Sequence, residues 1–90
     1  HLKNVKTGEE TQLPVDGMFV FVGYEPQNSF LPAGLELDQQ GFIITDCEMR
    51  TNLPGLFAAG DIRSKMCRQV TTAVGDGATA AFTYLEQLDA

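Results

Sequence analysis

The sequence contains no tryptophan and one histidine, His1, and its six basic residues are outnumbered by twelve acidic ones, for a net charge of −6. That acidic balance excludes nucleic acid and anionic membrane surfaces as partners, because both recruit a basic footprint. A histidine at the chain end leaves Ser29 and Ser64 without a base, and no His, Cys and Asp residues cluster at metal-ligand spacing. Neither nucleophilic hydrolysis nor a metal site is expected. No apolar run approaches the roughly 20 residues of a membrane span. Cys47 and Cys67 are the only cysteines, and the nineteen residues between them fit neither a Cys-x-x-Cys redox pair nor a zinc site. They read as two reduced thiols of a cytoplasmic protein. There is no internal repeat, low-complexity tract or secretory signal, and the opening on His1 rather than Met reads as a processed or excised segment, or as a residue left by a tag.

Ninety residues, 43% hydrophobic and 20% charged, describe one small globular unit that is only marginally able to stand alone. Residues 3 to 15 pattern as a β-hairpin around Thr7-Gly8-Glu9, with Pro14 at its edge. Met18-Phe19-Val20-Phe21-Val22 is a continuous apolar run between glycines, which predicts a strand buried on both faces. Gly23 to Asn28 reads as a loop and as the organisational boundary. Leu35-Glu36-Leu37 predicts a short extended piece that turns at Asp38-Gln39-Gln40-Gly41. A second hairpin is expected around Asp46-Cys47, between Phe42–Thr45 and Glu48–Thr51. Pro54-Gly55 then turns the chain into a buried strand, Leu56 to Ala59. At the end, Val70, Ala73, Val74, Gly77, Ala78, Ala81, Phe82 and Leu85 recur at helical spacing and mark one helix face. Gly75 and Gly77 make that helix slim, at about 1 kcal/mol each relative to alanine, which suggests a close approach or simple close packing.

The chemistry concentrates after the Leu56 strand. In open α/β sheets, ligands bind beyond the carboxyl ends of strands. Gly60-Asp61 stands at such an end and offers close backbone approach and one acceptor for a ligand hydroxyl; the alternative for Asp61 is a turn or N-cap aspartate. Arg68 and Gln69 fall where the helix begins, so free N–H groups and the positive end of the helix dipole favour an electron-rich partner there. The alternative is an ordinary solvated arginine and a polar first turn. Arg63 and Lys65 make the preceding loop locally basic, which suits a pyrophosphate or a plain surface loop. Glu9, Glu10 and Asp38 read as solvated turn residues, and Tyr24 as a packing aromatic. The whole suggests half of a dinucleotide site.

Gly17-Met18-Phe19-Val20-Phe21-Val22-Gly23-Tyr24-Glu25-Pro26, Met49-Arg50-Thr51-Asn52, Gly55-Leu56-Phe57-Ala58-Ala59-Gly60-Asp61-Ile62-Arg63 and Arg68-Gln69-Val70-Thr71-Thr72-Ala73 together resemble the carboxy-terminal part of the bacterial low-molecular-weight thioredoxin reductases. Gly-Asp segments recur across flavin-dependent disulfide reductases, whereas Arg-Gln-Val placed after Gly-Asp-Ile-Arg is specific to this group. The resemblance covers Val5 to Leu85. It implies an α/β fold: the C-terminal fragment of an FAD/NAD(P)-binding two-Rossmann fold, with β-hairpins and strands and one C-terminal helix. Residues 1–26 would be the end of the NAD(P)H-binding domain and residues 27–90 the C-terminal part of the FAD-binding domain. The implied activity passes electrons from NADPH through FAD to a disulfide and on to thioredoxin, in a homodimer.

By the same resemblance Asp61 would hold the flavin ribityl chain, and Gly60 with the Asp61 backbone would approach the pyrophosphate. Arg68, Gln69 and Val70 would contact the flavin ring region, with the Val70 N–H toward the pyrimidine carbonyl. The family's Gly-x-Gly-x-x-Gly fingerprint, its NADPH glycine motif and its Cys-x-x-Cys pair are absent, so Cys47 and Cys67 do not carry over as the redox pair. The 90 residues alone are therefore expected to bind little FAD and to turn nothing over. The loop after Pro26 reads Gln27-Asn28-Ser29, where family members more usually have Asn-Thr. Two alternatives remain: a related peroxiredoxin-reducing flavoprotein, and a non-catalytic self-associating module.

Overall fold

Residues 1–89 are described by a computed structural model. Asn4 builds its first turn. The Asn4 side-chain oxygen accepts from the N–H groups of Lys6 at 2.9 Å and Thr7 at 3.1 Å. Its backbone N–H donates to Glu9 and its carbonyl accepts from Gly8, each at 2.8 Å. This closes an antiparallel hairpin of β1 (Leu2–Lys3) and β2 (Glu10–Thr11), paired Leu2 to Thr11 and Lys3 to Glu10. The hairpin is shorter than expected, and residues 12 to 22 continue it as irregular chain.

Met18–Val22 does not form the buried strand its composition predicts: these five residues are 71 to 100% exposed and carry no ladder. A strand buried on both faces needs neighbours on both sides, and among the described residues none lies beside it. The molecule is correspondingly drawn out, 65 × 27 × 20 Å with a radius of gyration of 19.3 Å. A self-contained 90-residue domain would have about 12 Å.

From Pro26 onward the chain packs. Two hairpin turns repeat one hydrogen-bond scheme. The Asp38 side chain accepts from the N–H groups of Gln40 at 2.9 Å and Phe42 at 3.0 Å, while its backbone N–H donates to Phe42 at 2.8 Å and its carbonyl accepts from Gly41 at 3.1 Å. Asp46 makes the same four bonds with Glu48, Arg50, Arg50 and Met49. Both are type I turns closed by a residue in the left-handed region. Asp38 is thus a half-buried turn clamp, where the sequence suggested a solvated residue. Its carboxyl is held below the usual range, first by the Ser64 hydroxyl and then, against burial, by the N–H groups of Phe42, Gln40 and Gly41.

The closing residue is Gly41 in the first turn, at φ 91°, and Met49 in the second, at φ 68°. Met49 is 5% exposed, so burial of its side chain holds a backbone conformation that long side chains avoid. The turn of the expected second hairpin thus forms at its expected place, Asp46-Cys47, but its two arms, Phe42–Thr45 and Glu48–Thr51, share no bridge. Leu37 to Ile43 and Arg50 to Phe57 pair antiparallel at single bridges, and Ile43 to Arg63 pairs parallel. The expected Leu56–Ala59 strand is reduced to the one bridge at Phe57, with Ala58 buried beside it. Phe42, Ile43, Met49 and Ala58 form the small core.

Helix α1 (Val70–Leu88) begins and ends close to where the periodicity predicts. The face it packs is different. Ala73, Asp76, Ala80 and buried Thr83 turn inward, whereas Val70, Val74, Phe82 and Leu85 are 54 to 81% exposed. The apolar stripe has no partner among the described residues; the helix is fixed instead by Asp76 and by the Tyr84 ring, edge-to-face with Phe57 at 6.4 Å. A Cβ at Gly75 or Gly77 would meet nothing within 4 Å, so neither glycine serves a close approach inside this chain. No helix among the described residues is long and apolar enough to cross a membrane.

Candidate functional site

The Phe57 bridge delivers the chain to Gly60, which is buried at φ 86°. A Cβ there would sit 3.7 Å from the Ala73 Cβ, an ordinary contact, so the left-handed backbone is what demands glycine. The Arg63 N–H donates to the Gly60 carbonyl at 3.1 Å, closing a turn with Asp61 at its tip. Asp61 is exposed. Its backbone carbonyl accepts from Arg68 Nε at 2.9 Å, and among the described residues its carboxylate has no hydrogen-bond partner.

Arg68 is fixed from several sides. Besides Asp61 it donates through Nη2 to the Arg63 carbonyl at 2.9 Å. Its guanidinium lies 3.6 Å from the centre of the Phe42 ring and 5.9 Å from that of Tyr24. A cleft of about 480 Å³ opens here, with Tyr24, Pro26, Phe42, Asp61, Ile62 and Arg68 in its walls. Gln69 is the N-cap of α1. Its N–H donates to the Thr72 hydroxyl at 3.0 Å, while its carbonyl accepts from the Ala73 N–H at 3.0 Å. Val70 and Thr71 follow with N–H groups for which an α-helix offers no internal acceptor. Of the five residues expected at the site, the structure brings Asp61 and Arg68 into one cleft with Gly60 beneath them. Gln69 and Val70 stand exposed at the adjoining helix start, outside the cleft lining.

The basic loop has a role the sequence did not suggest. Arg63 and Lys65 both donate to Oδ2 of Asp76 on α1, at 2.7 and 2.8 Å, and the Gly60 N–H donates to the same oxygen at 3.0 Å. The three side chains are only 11 to 12% exposed. Arg63 and Lys65 are therefore neither free for a pyrophosphate nor part of a solvated loop. Burial works against the charge on Asp76, but the donors Lys65, Arg63 and Gly60 outweigh it and lower its pKa from 3.8 to about 2. Sequence reasoning passed over Asp76, although one signal was available: it is the only charged residue between Arg68 and Glu86, on the side of the helix away from the apolar stripe. Asn28 also gains a function, donating its side-chain amide to the Gly41 carbonyl at 3.1 Å and so tying the loop after Pro26 to the first hairpin.

An exposed carboxylate beside a clamped guanidinium, an aromatic wall and an open helix N-terminus suit a ligand that carries hydroxyl donors and an electron-rich edge. The chain belongs to the family of pyridine nucleotide-disulphide oxidoreductases, which it matches over residues 1–77. Among its relatives is the thioredoxin reductase of Listeria innocua, 53% identical over an alignment of 85 residues that covers 90% of this chain and 26% of that protein. Two solved structures are similar. Lactococcus lactis thioredoxin reductase in its FR conformation shares 53% identity at a TM-score of 0.75, over 93% of this chain and 28% of that one. The thioredoxin reductase of T. acidophilum shares 43% identity at a TM-score of 0.81, over 98% of this chain and 29% of that one. The 90 residues thus span between 26 and 29% of the length of these proteins. The expected α/β class, part of an FAD/NAD(P)-binding Rossmann-type fold, is borne out.

Proposed function

We propose that this chain is the C-terminal portion of an FAD-dependent thioredoxin-disulfide reductase and supplies part of its flavin site. The observation that carries the reading is the Asp61 carboxylate, left without a partner at the tip of a tight turn, in the same cleft as a doubly anchored Arg68. FAD bound in the full-length protein would accept electrons from NADPH and pass them to a disulfide, and so to thioredoxin. The residues in hand fit the binding part of that task. Asp61 accepts a hydrogen bond from a sugar or ribityl hydroxyl. Gly60 permits close backbone approach, its own N–H being given to Asp76. Gln69 and the Val70 N–H face an electron-rich ring edge at the positive end of α1, and Arg68 holds the turn that carries Asp61.

The division proposed from the sequence, residues 1–26 from the NAD(P)H-binding domain and residues 27–90 from the FAD-binding domain, is supported by the change from wholly exposed chain to packed chain near Pro26. A cytoplasmic homodimer with thioredoxin as its partner completes the reading. The test is Asp61→Ala in the full-length flavoprotein, with FAD affinity read by flavin fluorescence and turnover by thioredoxin-dependent NADPH oxidation. Loss of one hydrogen bond to a charged group predicts FAD binding weaker by about ten- to a hundredfold. Unchanged affinity would refute the assignment.

A second reading has its own support. Met18–Val22 and the apolar stripe of α1 stand exposed, so the 90 residues alone should self-associate. Light scattering decides: a mass that rises with concentration supports association, and a strictly monomeric folded species refutes it.

A further inference from the structure

We propose that Asp76 is a positioning residue of the flavin site: its Oδ2 pins the loop from Gly60 to Lys65 against α1, so that the Asp61 carboxylate is presented at the cleft. The inference rests on the flavin reading above. One carboxylate oxygen collects three donors from one short loop: the Gly60 N–H at 3.0 Å, Arg63 Nη1 at 2.7 Å and Lys65 Nζ at 2.8 Å. Gly60 directly precedes Asp61, so the first of these bonds fixes the backbone immediately before the residue that carries the carboxylate. Arg63 is held a second time, through Nε to the Thr45 hydroxyl at 2.7 Å, and its carbonyl receives Arg68.

The bonds therefore run without a break from the helix, through the loop, to the guanidinium that stacks on Phe42 in the cleft. Asp76 itself does not line that cleft and acts only through the residues it holds. The charges explain why an acid is needed. Two cations and one carboxylate, each side chain 11 to 12% exposed, give the cluster a net charge of +1. Asp76→Asn would raise it to +2 and force the loop away from the helix. Asp76→Asn combined with Lys65→Met returns it to +1 and leaves an amide oxygen to accept from Gly60 and Arg63.

The experiment compares the full-length flavoprotein with Asp76→Asn, Asp76→Asn/Lys65→Met and Asp61→Ala. Readouts are FAD affinity, the visible circular dichroism of the bound flavin and the melting temperature of the apoprotein. Asp76→Asn is expected to weaken FAD about tenfold, the scale on which partners that orient a ligand-holding group act, and to change the flavin dichroism. The double variant should recover most of both. A lowered melting temperature with wild-type affinity and dichroism would mean that Asp76 only stabilises the fold, which overturns the proposal while Asp61→Ala still weakens FAD. Unchanged affinity in Asp61→Ala would instead overturn the flavin reading itself. Should Asp76→Asn fail to fold, Asp76→Glu keeps the charge on a longer arm. Weakened FAD binding at an unchanged melting temperature then supports the proposal, and wild-type affinity overturns it.

Discussion

Gly41→Ala separates backbone strain from side-chain crowding at the first hairpin. Gly41 lies at φ 91°, and a Cβ there would come within 2.6 Å of Asn28 Nδ2 and 3.4 Å of Pro26 Cγ. Holding alanine in the left-handed region costs about 1–2 kcal/mol. Part of this is offset by the roughly 0.4–1 kcal/mol that alanine contributes by restricting the unfolded chain, which leaves about 1 kcal/mol. The 2.6 Å approach can be relieved only if the Asn28 amide swings away, breaking its 3.1 Å bond to the Gly41 carbonyl. That bond is worth about 1 kcal/mol, so Gly41→Ala should cost about 2 kcal/mol in all. With Asn28→Ala already in place, both the crowding and the bond are gone, and the same change should cost only the backbone part, about 1 kcal/mol. The coupling of about 1 kcal/mol exceeds the 0.3–0.5 kcal/mol scatter of independent sites. Native-state hydrogen exchange at the Gly41 and Phe42 amides, both bonded to Asp38, reads the effect locally in the full-length protein. About 2 kcal/mol corresponds to about thirtyfold faster exchange, and about 1 kcal/mol to fivefold. Equal acceleration of Gly41→Ala in the two backgrounds would refute the crowding argument.

The Asp76 cluster should appear in the acid limb of stability. Its folded pKa of about 2 lies below the ordinary 3.8 of an aspartate, so its contribution is complete above about pH 4 and is lost as pH falls toward 2. The shift corresponds to about 2 kcal/mol after allowance for the remaining exposure, and thermal unfolding between pH 2 and 5 should show a slope that Asp76→Asn flattens. Gly75→Ala and Gly77→Ala point into open space, so each should stabilise the 90-residue chain by up to about 1 kcal/mol in denaturant unfolding. If the same changes weaken FAD in the full-length protein, the glycines serve an approach from outside the chain. Arg68→Lys replaces a fork by a point charge that cannot hold the carbonyls of Asp61 and Arg63 together. It should cost about 1–2 kcal/mol, read as faster exchange of the Arg63 amide. Cys47 and Cys67 are both free and exposed, so a thiol reagent should titrate two groups per 90-residue chain without unfolding, and fewer would contradict the structure.

The local chemistry of the chain could be read from its residues wherever the determinant was local. The turns at Asn4 and Asp46 and the start of α1 after Gln69 all follow from side chains that bond to the backbone within a few positions. The turn at Gly60-Asp61 was legible for another local reason, a glycine in the left-handed region followed by a polar residue. The repeated turn was not, because Asp38-Gln39-Gln40-Gly41-Phe42 and Asp46-Cys47-Glu48-Met49-Arg50 share only their aspartate while sharing four hydrogen bonds. The scheme depends on one acceptor and one left-handed residue, and Met49 meets the second condition through burial, which a sequence does not display. Asp76 escaped for a different reason. Its partners stand eleven to sixteen positions away, and only the folded loop brings three donors to one oxygen.

The expectations that failed share a physical cause. Met18–Val22, the Val70–Val74–Leu85 stripe and the Gly75–Gly77 pair were all assigned to packed surroundings, and all three are open in the structure. Apolar pattern and slim helices record what a segment must face in the complete fold, whereas exposure records what is present to face it. The packed side of α1 shows the converse. It is held by Asp76, which accepts from Gly60, Arg63 and Lys65 across the gap to the loop, while buried Thr83 turns its hydroxyl back to the Thr79 carbonyl of the same helix at 2.9 Å, an arrangement of polar groups that hydrophobic periodicity is blind to. With the chain spanning 26 to 29% of the length of the reductases it matches, the two faces of α1 have separate tasks under the proposed reading. The Asp76 face sets the flavin-holding loop, and the apolar face is kept for the remainder of the flavin domain. Substitutions on the first should therefore lower FAD affinity together with stability, and polar substitutions at Val74 or Leu85 on the second should lower stability with little change in affinity. Equal responses on both faces, read as FAD affinity against melting temperature in the full-length protein, would dissolve that division.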